Sequence, residues 1–348
     1  MEKSSRPILV TGGTGYVASH VILALLKEGY RVRTTVRSTK DEKKYSHLFS
    51  LTPNAKECIE VVEADLHNKG SWLTATKDCD FVIHTASPFP PTLPKDENEV
   101  IKPAVDGTLN VLNACLANNV KKVVLTSSIA AVIIGNENTY CTEDDWSVAK
   151  VCAPYEKSKL LAEQAAWEFY KNNKGKIELT VVCPGLLWGP VLHKSNFTSG
   201  DIVQLIMKGQ LPAIPNISFP IADVRDAALA HVRAIQRPET NGRRYIIVSE
   251  CFSAASTVSA LRREFAKYGY WFPRFKVGKF LASLAGIYNP MFKLFLSSID
   301  QSYDISNKRS KDELGLNYTL PEKSVVEMVH SMLDFKLLPD KRKISPKL

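Results

Sequence analysis

A strand, a glycine turn and a helix follow one another within the first 26 residues, and that succession constrains everything after it. Ile8 to Val10 is a short apolar run of the kind that forms a buried parallel strand. It breaks at Gly12, Gly13 and Gly15, and an apolar helical pattern opens at Val17 and runs to Leu26. Gly12 permits a tight turn, and Gly15 lets the backbone approach a phosphate at the helix start. Ala18 is small enough to keep the helix against the sheet. A chain that begins this way is committed to an α/β architecture.

The rest of the composition sets bounds on function. The 348 residues are 45% hydrophobic and 23% charged, enough for one large domain or two smaller ones. The net charge is +9, yet acidic and basic residues are interspersed, and the densest basic run is the tail, Lys341 to Lys343 with Lys347. That pattern contains no nucleic-acid motif and suits a solvated surface facing an anionic ligand. Seven cysteines with no C-x-x-C pair point to reduced thiols, without a disulfide framework or a zinc site. The first strand begins within seven residues of the N-terminus, so no signal or transit peptide is expected. Phe280 to Leu296 is the most apolar late stretch, but Tyr288-Asn-Pro290 and Lys293 interrupt it, making a poor membrane span. The expectation is a cytoplasmic protein, with no nucleic-acid or membrane partner and no metal. The Pro346-Lys-Leu348 ending only loosely matches a peroxisomal signal.

Further along, the strand-and-helix alternation continues. Arg31 to Val36 alternates as a second strand and delivers Arg37, followed by Ser38 and, nearby, Lys43 and Lys44. An acidic residue there would serve a ribose 2′-hydroxyl; a guanidinium suits a 2′-phosphate, which favours NADP(H). Cys58 to Glu63 is a third strand, ending in Ala64-Asp-Leu66, where Asp65 reads either as an acceptor for an adenine amino group or as a solvated loop acid. Phe81 to His84 is a fourth, opening into the small residues Thr85, Ala86 and Ser87, at the crevice where such sheets bind ligands. His84 reads as a packed, hydrogen-bonded residue, not a base.

A helix is expected over Val100 to Asn118, and a fifth strand over Lys122 to Thr126 ending in Ser127 and Ser128. After an irregular polar stretch, 135–152, a helix opens at Pro154. Tyr155 and Lys159 are four apart on one face, which Ala162 and Ala166 continue. A second copy of that spacing, Tyr170 with Lys174, falls at the frayed end of the same helix. Glu178 to Val182 is a sixth strand, leading to Cys183, Pro184 and Gly185, which would border a nicotinamide. A helix over Asp226 to Ala234 and a strand over Arg244 to Val248 follow, and the remainder is mostly helical.

With T-G-x-x-G-x-x-A from Thr11 to Ala18, then Thr126-Ser-Ser128, then Tyr155-x-x-x-Lys159, the chain resembles the extended short-chain dehydrogenase/reductases. Within them it looks most like the dihydroflavonol, cinnamoyl-CoA and methylglyoxal/aldehyde reductase group. The runs that match are Val32 to Arg37, His84 to Phe89, Ala162 to Trp167 and Asp304 to Lys308. The resemblance implies a Rossmann-type doubly wound parallel sheet with a smaller, interleaved C-terminal substrate-binding lobe. Residues 1–185, with 221–250 returning, would form the cofactor domain; 186–220 and 251–335 the substrate lobe; and 336–348 a basic tail.

It also implies roles. Thr11, Gly12, Gly15, Tyr16 and Val17 would meet the cofactor at the first loop, and Arg37 and Lys44 would meet its 2′-phosphate. Asp65 and Leu66 would lie by the adenine; Thr85, Ala86, Ser87 and Thr126 would line the crevice. Pro184 and Gly185 would border the nicotinamide. Ser128 and Tyr155 would hold the substrate carbonyl, and Lys159 the nicotinamide ribose. Two departures argue against importing plant substrates. Ile133-Ile134 stands where dihydroflavonol reductases carry an asparagine, and Val151-Cys-Ala-Pro-Tyr155 replaces the cinnamoyl-CoA reductase signature.

The chemistry follows from the residue types. A tyrosine with an ordinary pKa of ~10 needs a neighbour to act near neutrality, and the Lys159 ammonium favours the phenolate. Tyr155 would protonate the carbonyl oxygen as hydride arrives, and Ser128 would stabilise the charge developing there. Ser127 would share that role if the strand ends one residue earlier. Phe89, Ile133, Leu187 and Trp188 are expected to line an apolar substrate pocket. The product would be an alcohol from an aldehyde, ketone or 1,2-dicarbonyl, made by a monomer or homodimer. Two other readings compete. One is a nucleotide-sugar epimerase or dehydratase using His193, Lys194 and Arg225; the other is a non-catalytic NADP(H) sensor.

Overall fold

Short β-rich runs separated by helical ones build a parallel sheet, and that sheet is the frame of the site. The computed structural model describes residues 6–88, 94, 96–136, 140–194, 198–278 and 303–342. Phe89, Phe197, the Phe280–Leu296 stretch and the Pro346-Lys-Leu348 ending therefore lie outside the described residues. In chain order the strands are β1 (Ile8–Val10), β2 (Val32–Val36), β3 (Ile59–Glu63), β4 (Phe81–His84) and β5 (Lys122–Thr126). Then come β6 (Glu178–Pro184), β7 (Leu186–Trp188), β8 (Ser218–Asp223), β9 (Arg243–Ile247) and β10 (Glu250–Ser253). Helices among the described residues include α1 (Tyr16–Lys27), α2 (Lys69–Thr76), α3 (Asn98–Ala117), α4 (Pro154–Asn172), α5 (Val224–Gln236), α6 (Ala254–Phe265), α7 (Lys308–Leu314) and α8 (Pro321–Asp334).

Seven strands form one parallel sheet in the order β9-β6-β5-β4-β1-β2-β3. The order reverses between β1 and β4, so a crevice opens at their carboxyl ends, where open α/β sheets take ligands. Val10 pairs with Thr34 on one side and Ile83 on the other, which aligns those ends. Both faces are covered, so β1 and the body of β5 are buried without alternation. The helix α3 packs beside α4, whose buried side chains include Lys159, Ala162, Glu163 and Ala166. α4 begins cleanly because Pro154 fits the first helical turn and the Glu156 side chain accepts from the Ala153 amide at 2.8 Å.

Two compact units divide the chain. The first comprises 1–184, 225–247 and 306–317; the second comprises 185–224, 248–305 and 318–348. Residues 306–317, expected in the substrate lobe, belong to the first unit. There α7 lies by β9, Tyr245 donates to Glu313 at 2.6 Å, and Arg309 pairs with Asp144 at 3.3 Å. Residues 221–224, expected with the cofactor domain, belong to the second unit, because β8 is hydrogen-bonded within that unit's own sheet. In that sheet β8 runs parallel to β7 and antiparallel to β10. Asp223, at the end of β8, accepts from the Ser324 hydroxyl of α8 at 2.6 Å.

All seven cysteines are free thiols. Among the described residues no helix is long and apolar enough to cross a membrane.

Candidate active site

The first loop is tighter than its glycine count suggests. Gly12 takes a left-handed φ of 69°, and its amide donates to Thr35 Oγ1 at 2.9 Å. The Gly13 amide donates to the Thr35 carbonyl at 3.0 Å. A Cβ on Gly13 would sit 2.1 Å from Thr34 Oγ1, which makes Gly13 the residue most required by space. The glycine pattern alone does not reveal this, because the obstacle lies on the neighbouring strand. Gly15 caps α1 without a side-chain acceptor, and the first turn, which holds Tyr16 and Val17, contains no acid. A helix start of that kind offers amide donors and a positive dipole end to an anion.

Thr11 is fully buried, and its hydroxyl accepts from the Thr85 and Ala86 amides at 3.1 and 2.9 Å. Thr85 donates back to the Thr11 carbonyl. Thr11 thus ties the ends of β1 and β4 together, leaving Ala86 and Ser87 on the wall of a small cavity. His84 is buried and neutral: burial, with the Lys159 charge adding to it, holds it down at about 3. Arg37 is exposed at the end of β2 and makes no hydrogen bond or ion pair among the described residues. Its loop is anchored, since Glu63 accepts from the Thr39 amide at 2.6 Å and the Thr39 hydroxyl at 2.8 Å. Lys44 is exposed and lies 3.5 Å from Asp41. Asp65 accepts from the His67 amide at 2.9 Å, and Leu66 packs against Gly107 while its carbonyl accepts from Asn110.

β5 ends at Thr126, and the two serines after it do different things. Ser127 is buried and donates to Glu163 at 2.5 Å. Ser128 is half-buried; its oxygen accepts from the Ala130 amide at 3.1 Å, and its proton has no acceptor among the described residues. Thr126 lies 2.7 Å from His231 Nε2, while His231 Nδ1 lies 2.7 Å from the Ala227 carbonyl. The carbonyl requires a proton on Nδ1, so Thr126 donates to Nε2 and His231 is a neutral support.

On α4, Tyr155 keeps 36% of its surface exposed, yet burial, with the Glu156 charge adding to it, pushes its phenol up to about 12. The shift is opposite in direction to the one expected from Lys159, because burial disfavours the phenolate. Lys159 is 9% exposed, and burial lowers it to about 8 against the opposing pull of Cys183 and Glu163. Its ammonium makes no hydrogen bond among the described residues. The second Tyr/Lys pair is different: Tyr170 packs edge-on to Trp167, and Lys174 is exposed beyond the end of α4.

Pro184 ends β6, and Gly185 opens the second unit. Ile133, Leu187 and Trp188, expected to line a substrate pocket, are only 4%, 6% and 0% exposed and pack as core. The side chain that sequence reasoning missed is Glu163, a carboxylate buried one turn beyond Lys159. Nothing in its local pattern sets it apart from the solvated acids of other helices.

An uncapped helix start, with a guanidinium and a buried ammonium that make no hydrogen bond among the described residues, fits a phosphorylated dinucleotide. The profile of the NAD dependent epimerase/dehydratase family matches residues 8–248. The chain belongs to that family, the extended short-chain dehydrogenase/reductases. Among the family's curated proteins it is similar to cinnamoyl-CoA reductase CAD2 of Medicago truncatula, 35% identical over 340 residues, covering 94% of this chain and 96% of the relative. Among solved structures it is similar to Gre2 of Candida albicans in complex with NADPH, with a TM-score of 0.78 and 29% identity, covering 95% of this chain and 99% of that one. Yeast methylglyoxal/isovaleraldehyde reductase Gre2 complexed with NADPH is also similar, with a TM-score of 0.77 and 26% identity over 95% and 99% of the two chains. The family's seven-stranded parallel sheet is the frame on which Ser128, Tyr155 and Lys159 stand.

Proposed function

We propose that this family member is an NADPH-dependent reductase that converts a small or medium aldehyde, ketone or 1,2-dicarbonyl to an alcohol. The observation that carries the reading is the division of labour around α4: a phenol kept protonated, an ammonium without a hydrogen bond, and a serine hydroxyl with a proton to give. The names of the relatives, reductases among them and two with NADPH bound, support the same class.

Arg37 would hold the 2′-phosphate as a charge-assisted fork, and the α1 start would hold the pyrophosphate. When bound, the reduced nicotinamide supplies the hydride. Ser128 donates a hydrogen bond to the carbonyl oxygen and stabilises the negative charge that grows there. Tyr155, protonated at neutral pH, passes its phenolic proton to that oxygen, and the carbonyl leaves as an alcohol. Lys159 orients the ribose and offsets the charge left on the phenolate. The raised pKa of Tyr155 keeps the phenol protonated, the form that reduction needs.

Absorbance of NADPH, followed with a panel of aldehydes, 1,2-dicarbonyls and sugar nucleotides, tests the reading. Oxidation by at least one carbonyl is expected. The family name favours a second reading, epimerase or dehydratase, whose mark is sugar-nucleotide turnover without net oxidation. No turnover of any kind, with NADPH still bound, favours the sensor. We also place the protein in the cytoplasm, a reading supported by its seven free thiols.

A further inference from the structure

Behind Ser128 and Lys159 lies a buried ion pair that the proposed reaction does not use. The Glu163 side chain is 0% exposed and that of Arg244, on β9, is 7% exposed. Donors from four elements converge on the Glu163 carboxylate. Ser127 donates from the end of β5 at 2.5 Å, Trp167 from α4 at 3.0 Å, and Arg244 Nη2 from β9 at 3.3 Å. Arg244 Nε lies 2.6 Å from the other oxygen, and the Cys183 thiol of β6 lies 3.7 Å away. Arg244 is itself locked: it sits 3.8 Å over the Trp146 ring and donates to the carbonyls of Glu143 and Asp145 at 2.9 and 2.8 Å.

Burying such a pair is costly even when it is well made, and apolar replacement is often neutral or stabilising. Packing alone therefore does not account for it, since the same sheet is already filled by Val124, Val181 and Ile246. Its position is more telling. Glu163 follows Lys159 by one helical turn, and both line one small cavity with Ala86, Thr126, Ser127 and Ala162. The groups that act on Lys159 are His84 from β4, Cys183 from β6, and Glu163 from α4 itself, with Tyr155 four residues before it on that helix. His84 is neutral, and burial pushes the Cys183 thiol up, so it too stays neutral in ordinary buffers. Tyr155 keeps its proton. Glu163 is the standing negative charge among them.

We propose that Glu163 is a positioning residue with two effects: it pins Ser127, and so aims Ser128, and it keeps the neighbouring Lys159 charged. The inference rests on the function proposed above. It is tested first without cofactor, by the pH dependence of Lys159 acetylation with limiting acetic anhydride, read at its peptide by mass spectrometry. The wild-type midpoint is expected near 8, and that of Glu163→Gln about one unit lower. Because Glu163→Gln strands the Arg244 charge, the double variant Glu163→Gln/Arg244→Met is measured beside it, with thermal melting to establish folding. An unmoved midpoint in either folded variant overturns the electrostatic effect.

Ser127→Ala leaves the ion pair intact. Its Lys159 midpoint should stay in place while kcat falls about tenfold or more, with an unchanged KM for NADPH. An unchanged kcat overturns the aiming effect. Should the wild type oxidise NADPH with no carbonyl, the proposed function fails, whereas the lysine midpoints still report on Glu163.

Discussion

Thr11 and His84, at the ends of the neighbouring strands β1 and β4, share a hydrogen bond of 2.9 Å whose direction is fixed. The Thr11 oxygen already accepts from two amides, so its proton goes to His84 Nδ1, and the ring carries its own proton on Nε2. A protonated ring would aim an N–H at an oxygen whose lone pairs are taken. His231 is held neutral as well, lowered to about 4 by burial against the pull of the Ala227 carbonyl.

Stability should therefore depend on pH through these two rings. In the unfolded chain each binds a proton near 6.5; in the fold neither does until about 3 or 4. The unfolded state binds more protons in that window. Stability is thus full above about 6.5 and falls as pH drops toward 4, by up to about 1.4 kcal/mol per pH unit for each histidine. Denaturant midpoints between pH 7 and pH 5 would show the slope, and His84→Gln should remove about one proton from it. A slope that does not change in that variant contradicts the assignment.

Tyr155→Phe keeps the ring and removes the proton donor. Turnover should fall by about 10²- to 10⁴-fold, while NADPH binding, followed by fluorescence, stays near wild type. Normal turnover would remove Tyr155 from the chemistry.

Arg37→Gln should weaken NADPH binding by about 10- to 100-fold, the worth of a charge-assisted contact, and leave NADH nearly unaffected. Equal losses for both cofactors would mean that Arg37 supports the loop and does not read the 2′-phosphate.

Two glycines should respond oppositely to alanine. Gly13→Ala places a Cβ against Thr34 and should cost about 1–3 kcal/mol, together with cofactor affinity. Gly70 is helical and its nearest neighbour to a new Cβ is 3.5 Å away, so Gly70→Ala should gain up to about 1 kcal/mol. Calorimetry of both variants would show the contrast; a neutral Gly13→Ala would mean that the loop yields.

Local patterns were readable in proportion to how local they are. The strand–turn–helix opening and the Tyr155/Lys159 face depend on residues a few positions apart, and backbone periodicity displays them. The choice between Ser127 and Ser128 needed the end of β5 to within one residue, which only pairing to β6 defines: the Ser127 amide donates to the Val182 carbonyl. Glu163 was hidden for a stronger reason. Its counter-charge, Arg244, is 81 residues away, and no spacing rule links them. The same holds for 306–317, whose place beside β9 depends on pairs such as Tyr245 with Glu313. The upward shift of the Tyr155 phenol depends on its surroundings in the fold, which residue type does not reveal.

The first unit is assembled from three separated pieces of chain, and this sets an order of events during synthesis. When residue 184 leaves the ribosome, the serines, the tyrosine and the lysine all exist, but β9 does not. Glu163 then faces a forming interior with no guanidinium to neutralise it, a burial that is strongly disfavoured. Arg244 is synthesised on the order of seconds later, and α7 later still. A chain stopped before β9 would leave the β6 edge unpaired and open to other strands, including those of other copies of itself.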